Sequence, residues 1–139
     1  MDQQVADALY KRVAHEPFAR KLGLKLVKLE PGYALVEMTL QPDTANIFET
    51  THGGAIFSLI DEAFELSCNS HGTVAVALSI NVTYHRPPTQ GALLRAESKE
   101  IYRSRKTGTY DIRVTENQDV LIASCQAVAY RKSEKLPFL

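Results

Sequence analysis

A chain of 139 residues, 45% hydrophobic and 23% charged, suits one globular domain with its own core and is short for two. Sixteen Lys and Arg balance sixteen Asp and Glu, so no global basic field draws in nucleic acid or an anionic membrane, and an anionic ligand must meet a local cluster. The start Met1-Asp2-Gln3-Gln4 has no positive leader and no apolar run nears the length of a spanning helix, which predicts a cytoplasmic protein.

In chain order, residues 2–14 predict a helix with Val5, Leu9 and Val13 on one face, ended at His15-Glu16-Pro17 because the residue before proline avoids the α region. Residues 24–29 and 33–40 alternate apolar and polar around Glu30-Pro31-Gly32, a β-hairpin. Residues 41–52 read as a polar loop. Gly53 then opens a helix on which Ile56, Phe57, Leu59, Ile60, Ala63, Phe64 and Leu66 surround the axis, so it should be buried, with Glu62 and Glu65 reaching solvent. Four strand-like segments follow, 74–84, 92–102, 109–116 and 121–130, separated by Arg86-Pro87-Pro88, residues 104–108 and Asn117-Gln118-Asp119. The class is α+β: a strongly curved antiparallel sheet wrapped around a long central helix that needs cover on more than one side.

Two features of that helix carry chemistry. Gly53 and Gly54 stand where loop becomes helix, so their N–H groups are orphan donors at the positive end of the helix dipole and suit an oxyanion; Gly-Gly also permits mere tight packing there. Asp61 lies mid-helix among apolar residues, where a carboxylate is costly unless paired or facing a cavity. It is either functional, satisfied by a hydroxyl, or turned to solvent. Eight residues at 1.5 Å rise separate Gly53 from Asp61 by about 12 Å, too far for both to reach one reacting carbon. Two antiparallel copies related by a two-fold axis bring Gly53 of one beside Asp61 of the other, which predicts a homodimer with shared active sites. Ser58 and Ser67 have no partner to activate them, so a serine-hydrolase reading is weak. Cys68 and Cys125 read as two buried free thiols rather than a disulfide. No metal-ligand cluster or dinucleotide glycine motif is visible, so no metal or redox cofactor is expected.

Asn46, Thr51-His52-Gly53-Gly54-Ala55-Ile56, Asp61 nine residues after His52, Ser67-Cys68-Asn69-Ser70, Asn81-Val82-Thr83-Tyr84 and Arg86-Pro87 together resemble the phenylacetate-degradation (PaaI-like) thioesterases, over residues 15–130 or so. The resemblance implies a hotdog fold and hydrolysis of acyl-CoA to free acid and CoA, with phenylacetyl or hydroxyphenylacetyl as the suggested acyl group. Coenzyme A would be part of the substrate, so no separate cofactor is needed. It also implies shared-site dimers stacked as a homotetramer. Asp61 would act as general base or nucleophile. Asn46, placed with Gly53, would bind the thioester carbonyl or position water, and His52 would polarise the carbonyl or simply cap the helix. Arg103, Arg105 and Arg131, with Lys106, Arg86 and Lys132 nearby, are candidates for the CoA phosphates, though basic strand ends are more often solvated edges. Ile47 and Phe48 would line the acyl pocket, and Phe57, Phe64 and Tyr84 would suit an aromatic acyl group. Two positions depart from the family pattern: Glu49 stands where glycine is common, and Ala75-Val76-Ala77-Leu78-Ser79 offers only Ser79 where relatives carry a hydroxyl facing the acid. The rival readings are a hotdog dehydratase with a histidine base, and a non-catalytic acyl-CoA-binding domain.

Overall fold

Asp2 caps the first helix, α1 (Gln3–His15), by accepting from the Gln4 N–H at 2.8 Å, and α1 buries Val5, Leu9 and Val13 as their spacing predicts. The computed structural model describes residues 1–117 and 119–139; Gln118, in the expected turn 117–119, lies outside the described residues. Pro17 stops α1 yet starts another helix, α2 (Pro17–Leu22), which the sequence reading omits. Its fixed φ suits the first turn, and Gly23 (φ 68) closes the helix in the left-handed region.

The hairpin forms as expected from β1 (Lys25–Glu30) and β2 (Tyr33–Thr39), closed by the Glu30 and Tyr33 pair, with Gly32 at φ 72 as a Pro-Gly turn requires. After the loop come α3 (Gly53–Asn69), β3 (Thr73–Tyr84), β4 (Leu93–Arg103), β5 (Thr107–Glu116) and β6 (Val120–Lys135). The last strand runs beyond the expected residue 130, because Arg131 and Lys135 continue its ladder with Ala75 and Thr73. All pairings are antiparallel, in the order β1-β2-β4-β5-β6-β3, so β3 crosses to the far edge of the sheet. Bulges between Thr73 and Ala75, Ala77 and Ser79, Glu100 and Tyr102, and Val114 and Thr115 bend the strands, as a sheet curving around a helix requires.

The helix in that concave face is α3. Leu59, Ile60, Ala63 and Phe64 are fully buried in one core with Val36, Met38, Leu94, Ala96, Ile112 and Val114, each large side chain contributing about 1.5–3 kcal/mol by leaving water. The Phe64 ring meets Tyr110 edge-on at 5.4 Å. Phe64 is therefore a core residue, not the wall of an acyl pocket. Of the two glutamates expected in solvent only Glu65 is exposed; Glu62 is buried, at 3% exposure.

Polar clips fix the C-terminal end of α3. Asn69 donates to the Ala75 carbonyl (3.0 Å) and accepts from the Ala75 N–H (2.9 Å), taking a strand's place beside β3. Ser70 Oγ donates to the Ser67 carbonyl and accepts from the Gly32 N–H, both at 2.7 Å. The Ser67-Cys68-Asn69-Ser70 motif thus holds the helix at a fixed height against the sheet, and with it every group further up the axis.

Next to these clips, Glu100 accepts from Tyr110 Oη and lies against His71 Nε2, each at 2.7 Å. Burial alone would raise its carboxyl, but these hydrogen bonds and the neighbouring His71 and Arg103 bring it below the ordinary 4.5. Tyr110→Phe is expected to lower the unfolding free energy at neutral pH by about 1.5–3 kcal/mol, the range for a hydrogen bond to a charged group. A depressed carboxyl lends stability above its unfolded pKa and loses it as pH falls through the folded value. The gap between wild type and variant therefore narrows in acid, which denaturant unfolding at the two pH values checks.

Candidate active site

The loop before α3 is organised from within. Asn46 Oδ1 accepts from the N–H groups of Phe48 (2.9 Å) and Thr50 (3.1 Å), and Nδ2 donates to Thr50 Oγ1 (3.0 Å). The side chain expected to reach a thioester carbonyl is engaged in shaping its own loop, with Ala45 bridged to Thr51 across it. Glu49 adopts φ 62, the left-handed conformation for which glycine is the natural residue. Glu49→Gly should relieve a cost of about 1–2 kcal/mol while adding chain entropy worth about 0.5–1, for a net gain near 0.5–1 kcal/mol in unfolding free energy, seen as a higher denaturant midpoint. Ile47 and Phe48, at the loop tip, stand 90% and 76% exposed.

His52 is the N-cap of α3: its Nδ1 accepts from the Gly54 N–H at 2.8 Å, and its carbonyl accepts from the Ala55 N–H at 3.0 Å. Two of the helix's first donors are thereby spent. Among the described residues none accepts from the Gly53 N–H, so the orphan donor of the pair is Gly53 and not Gly54. An Nδ1 lone pair directed at Gly54 puts the ring proton on Nε2, so the outward nitrogen of His52 donates and has no lone pair for base work. Tyr84, 48% exposed at the end of β3, donates to the Gly53 carbonyl at 3.1 Å and lays its ring 3.4 Å from where a Gly53 Cβ would be.

Two turns along α3, Asp61 stands on the outward face and is exposed in the single chain. Protein still packs closely enough around the carboxyl that burial raises its pKa above the ordinary 3.8, with the charge of Glu16 adding to the shift. The buried acid of the helix is the next residue. Glu62 is pushed up to about 10, first by burial and then by a hydrogen bond with Glu16, and Glu65 is pushed up to about 7, first by burial and then by the charge of Glu16.

The basic candidates gather elsewhere. Arg103 contacts His71 Nδ1 and lies 3.9 Å from Glu100, while Arg131 donates to the Ser104 carbonyl at 2.6 Å and so pins the β4–β5 turn. Arg105 is exposed, and with Lys106, Tyr130, Arg131 and Lys132 it lines a recess of about 430 Å³. Along one chain the site is divided: Gly53, Asn46, His52 and Tyr84 lie at one end of a helix about 24 Å long, the arginines lie near the other, and Asp61 is midway. Ser79, past the β3 bulge, is exposed, and no hydrogen bond among the described residues joins it to Asp61. Ser58 Oγ donates to the Gly54 carbonyl and Ser67 Oγ to the Phe64 carbonyl, so neither is a poised nucleophile. Cys68 and Cys125 are free and buried, and burial pushes their thiols up to about 12 and about 11. Among the described residues no helix is long and apolar enough to cross a membrane.

Comparison with known proteins agrees with this architecture. Residues 48–123 match the model of the thioesterase superfamily. A protein of Archaeoglobus fulgidus that carries an esterase name is 36% identical over 137 residues, covering 99% of this chain and 87% of the relative. The acyl-coenzyme A thioesterase PaaI of Escherichia coli K12 is 33% identical over 128 residues, 92% of this chain and 89% of that one. The solved structure of the E. coli PaaI protein from the phenylacetic acid degradation operon superposes with a TM-score of 0.89 at 29% identity, covering 94% of this chain and 95% of that one. A six-stranded antiparallel sheet curled around one long helix, with a histidine-capped Gly-Gly start and an acid two turns on, is accordingly the hotdog fold, and the chain belongs to the thioesterase superfamily as a thioester hydrolase.

Proposed function

We propose that the protein hydrolyses acyl-CoA thioesters at sites shared between two copies of the chain, with the Gly53 N–H of one copy holding the carbonyl oxygen and Asp61 of the other driving the attack. The observation that carries this reading is the unspent Gly53 N–H at the start of α3, beside a His52 whose outward nitrogen is a donor. Both are positioned to stabilise negative charge on a carbonyl oxygen, and the helix dipole adds to them. Asp61, more basic than an ordinary aspartate because its pKa is raised, takes a proton from water; the hydroxide adds to the thioester carbon, the oxyanion forms against Gly53, and collapse expels the CoA thiolate. Direct attack by the carboxylate through an anhydride uses the same groups, and water then cleaves the anhydride.

Support for the shared site comes from the sheet edge. In β3, Val76, Ala77, Leu78 and Ser79 are successively exposed, Leu78 to 60%, along twelve residues of unpaired edge. A long apolar edge of this kind is stable in solution when a second strand covers it, and pairing β3 with its copy across a two-fold axis also sets the two α3 helices side by side. That arrangement brings the basic turn of one chain toward the Gly53 end of the other, where Arg105, and less directly Arg103 and Arg131, would meet CoA phosphates. Two such dimers stacked face to face give the tetramer, and the cytoplasm supplies acyl-CoA. The acyl group would lie between Asp61, Phe57, the Ile47-Phe48 loop and Tyr84, a partly aromatic lining that suits phenylacetyl or hydroxyphenylacetyl. A dehydratase needs a histidine base at this point, and His52 has spent that lone pair on the helix cap. A non-catalytic binding domain has no use for an acid of raised pKa opposite an oxyanion donor.

The test offers phenylacetyl, hydroxyphenylacetyl, benzoyl, short-chain and long-chain CoA thioesters to the purified protein while free thiol is followed. Release is expected, fastest with the aromatic substrates. Silence across the whole panel contradicts the reading, and a preference for long aliphatic chains contradicts its aromatic part alone.

A further inference from the structure

Glu16, Glu62 and Glu65 converge although 46 residues separate the first from the second. Glu62 and Glu65 are one helical turn apart on α3, hence on neighbouring parts of its surface. Glu16 is the residue between α1 and α2. It occupies the N-cap position of α2 without using its side chain as a cap, so its carboxylate is available to the cluster. One carboxylate oxygen from each of the three lies within 4.8 Å of the other two.

Three carboxyl groups so close cannot all carry their charge, and one of them is in a place that makes the problem acute. Glu62 is 3% exposed, and its Oε1 is the single buried side-chain N or O atom among the described residues without a hydrogen-bond partner. A buried carboxyl oxygen facing other carboxyl groups calls for either a proton or a cation between them. No Lys or Arg of this chain is ion-paired with any of the three glutamates among the described residues.

We propose that the Glu16, Glu62 and Glu65 carboxylates form a binding site for one hard divalent cation of the calcium or manganese kind. The ligand set is oxygen only, which selects hard cations over zinc or copper. Three oxygens spread evenly around one ion at 2.3–2.6 Å stand about 4.0–4.5 Å apart, and the oxygens here, within 4.8 Å of one another, are close enough to converge on such an ion. Magnesium demands near-ideal octahedral geometry and dehydrates reluctantly, so it suits an all-protein carboxylate triangle less well. Glu65 is exposed and Glu16 partly so, which leaves a path for the ion to enter and room for water to complete its coordination. Sequence spacing alone shows no metal site, because the third ligand arrives through the packing of the α1–α2 junction against α3.

The experiment is a titration of Mn²⁺ into the intact, chelator-treated protein at neutral pH, followed by the loss of the free-ion signal in electron paramagnetic resonance. One Mn²⁺ per chain is expected, displaced by Ca²⁺, with a dissociation constant on the order of 10⁻⁴ M. Glu62→Gln and, separately, the exposed Glu65→Gln are expected to weaken binding at least about tenfold while circular dichroism stays native. Absence of bound Mn²⁺ at millimolar concentration overturns the proposal and leaves protons as the neutralising charge. Binding undiminished in both variants overturns it as well, since the ion then sits elsewhere. The readout is ion binding, so it stands or falls apart from thiol release.

Discussion

Asp61→Asn is expected to cut kcat/KM for thioester hydrolysis by about 10²–10⁴, the range contributed by a positioned general base, while leaving the unfolding transition unchanged or slightly higher. The structure supplies the stability half of that expectation. Asp61 is exposed on α3 and makes no hydrogen bond or ion pair among the described residues, so the amide breaks no contact. Its carboxyl is raised by burial and by Glu16, and a group that pays to be charged is relieved when the charge is removed. If Asp61 were a structural residue, the substitution would lower stability and leave the rate per folded molecule near wild type. Full activity in the amide variant rules out both the base and the nucleophile, since an amide performs neither role at the wild-type rate.

Gly53→Pro removes one hydrogen-bond donor with unusual economy. Gly53 is the first residue of α3, the position where proline fits best, and His52 before it has φ −64 and ψ 133, the extended conformation that a residue preceding proline prefers. A Cβ there comes no closer than 3.4 Å to Tyr84, an ordinary contact. The backbone N–H that disappears has no partner among the described residues, so the fold loses nothing by it. The variant should keep its melting temperature and lose about 10²–10³ in kcat, the cost of one oxyanion-hole donor. Gly54→Pro is the contrasting case. It deletes the donor that His52 holds, so it loosens the cap and costs about 1 kcal/mol in stability.

Much of the fold is legible in the sequence because its elements carry redundant local signals. The 24–29 and 33–40 alternation, the Pro31-Gly32 turn and the apolar run after Gly53 each agree with their flanks, and the sheet follows from the helix's need for cover. What escapes is instructive. Pro17 reads as a stop, but a proline that ends one helix is equally fit to begin another, and the six residues of α2 are too few to show a period. On a helix apolar on every side, periodicity cannot tell which carboxylate points inward, so Asp61 stays open among three placements and Glu62 is expected in solvent, whereas within one chain the packing exposes Asp61 and buries Glu62. The site residues divide along similar lines. Gly53 and His52 are marked by their place at a loop-to-helix junction, whereas the hydrogen bonds that engage Asn46 and Arg131 depend on how the loop closes on itself and on a turn 27 residues away. Glu16 carries no signal at all until α1 and α3 are packed together.

Mixed subunits decide whether each site takes Gly53 from one chain and Asp61 from another. Asp61→Asn and Gly53→Pro chains, each inactive alone, are unfolded together in equal amounts and refolded. Random pairing makes half of the dimers mixed, and each mixed dimer holds one site with both groups intact and one with neither, so about a quarter of wild-type activity should return. Activity no higher than the sum of the two separate variants, in a mixture shown to have exchanged subunits, would contradict the shared site.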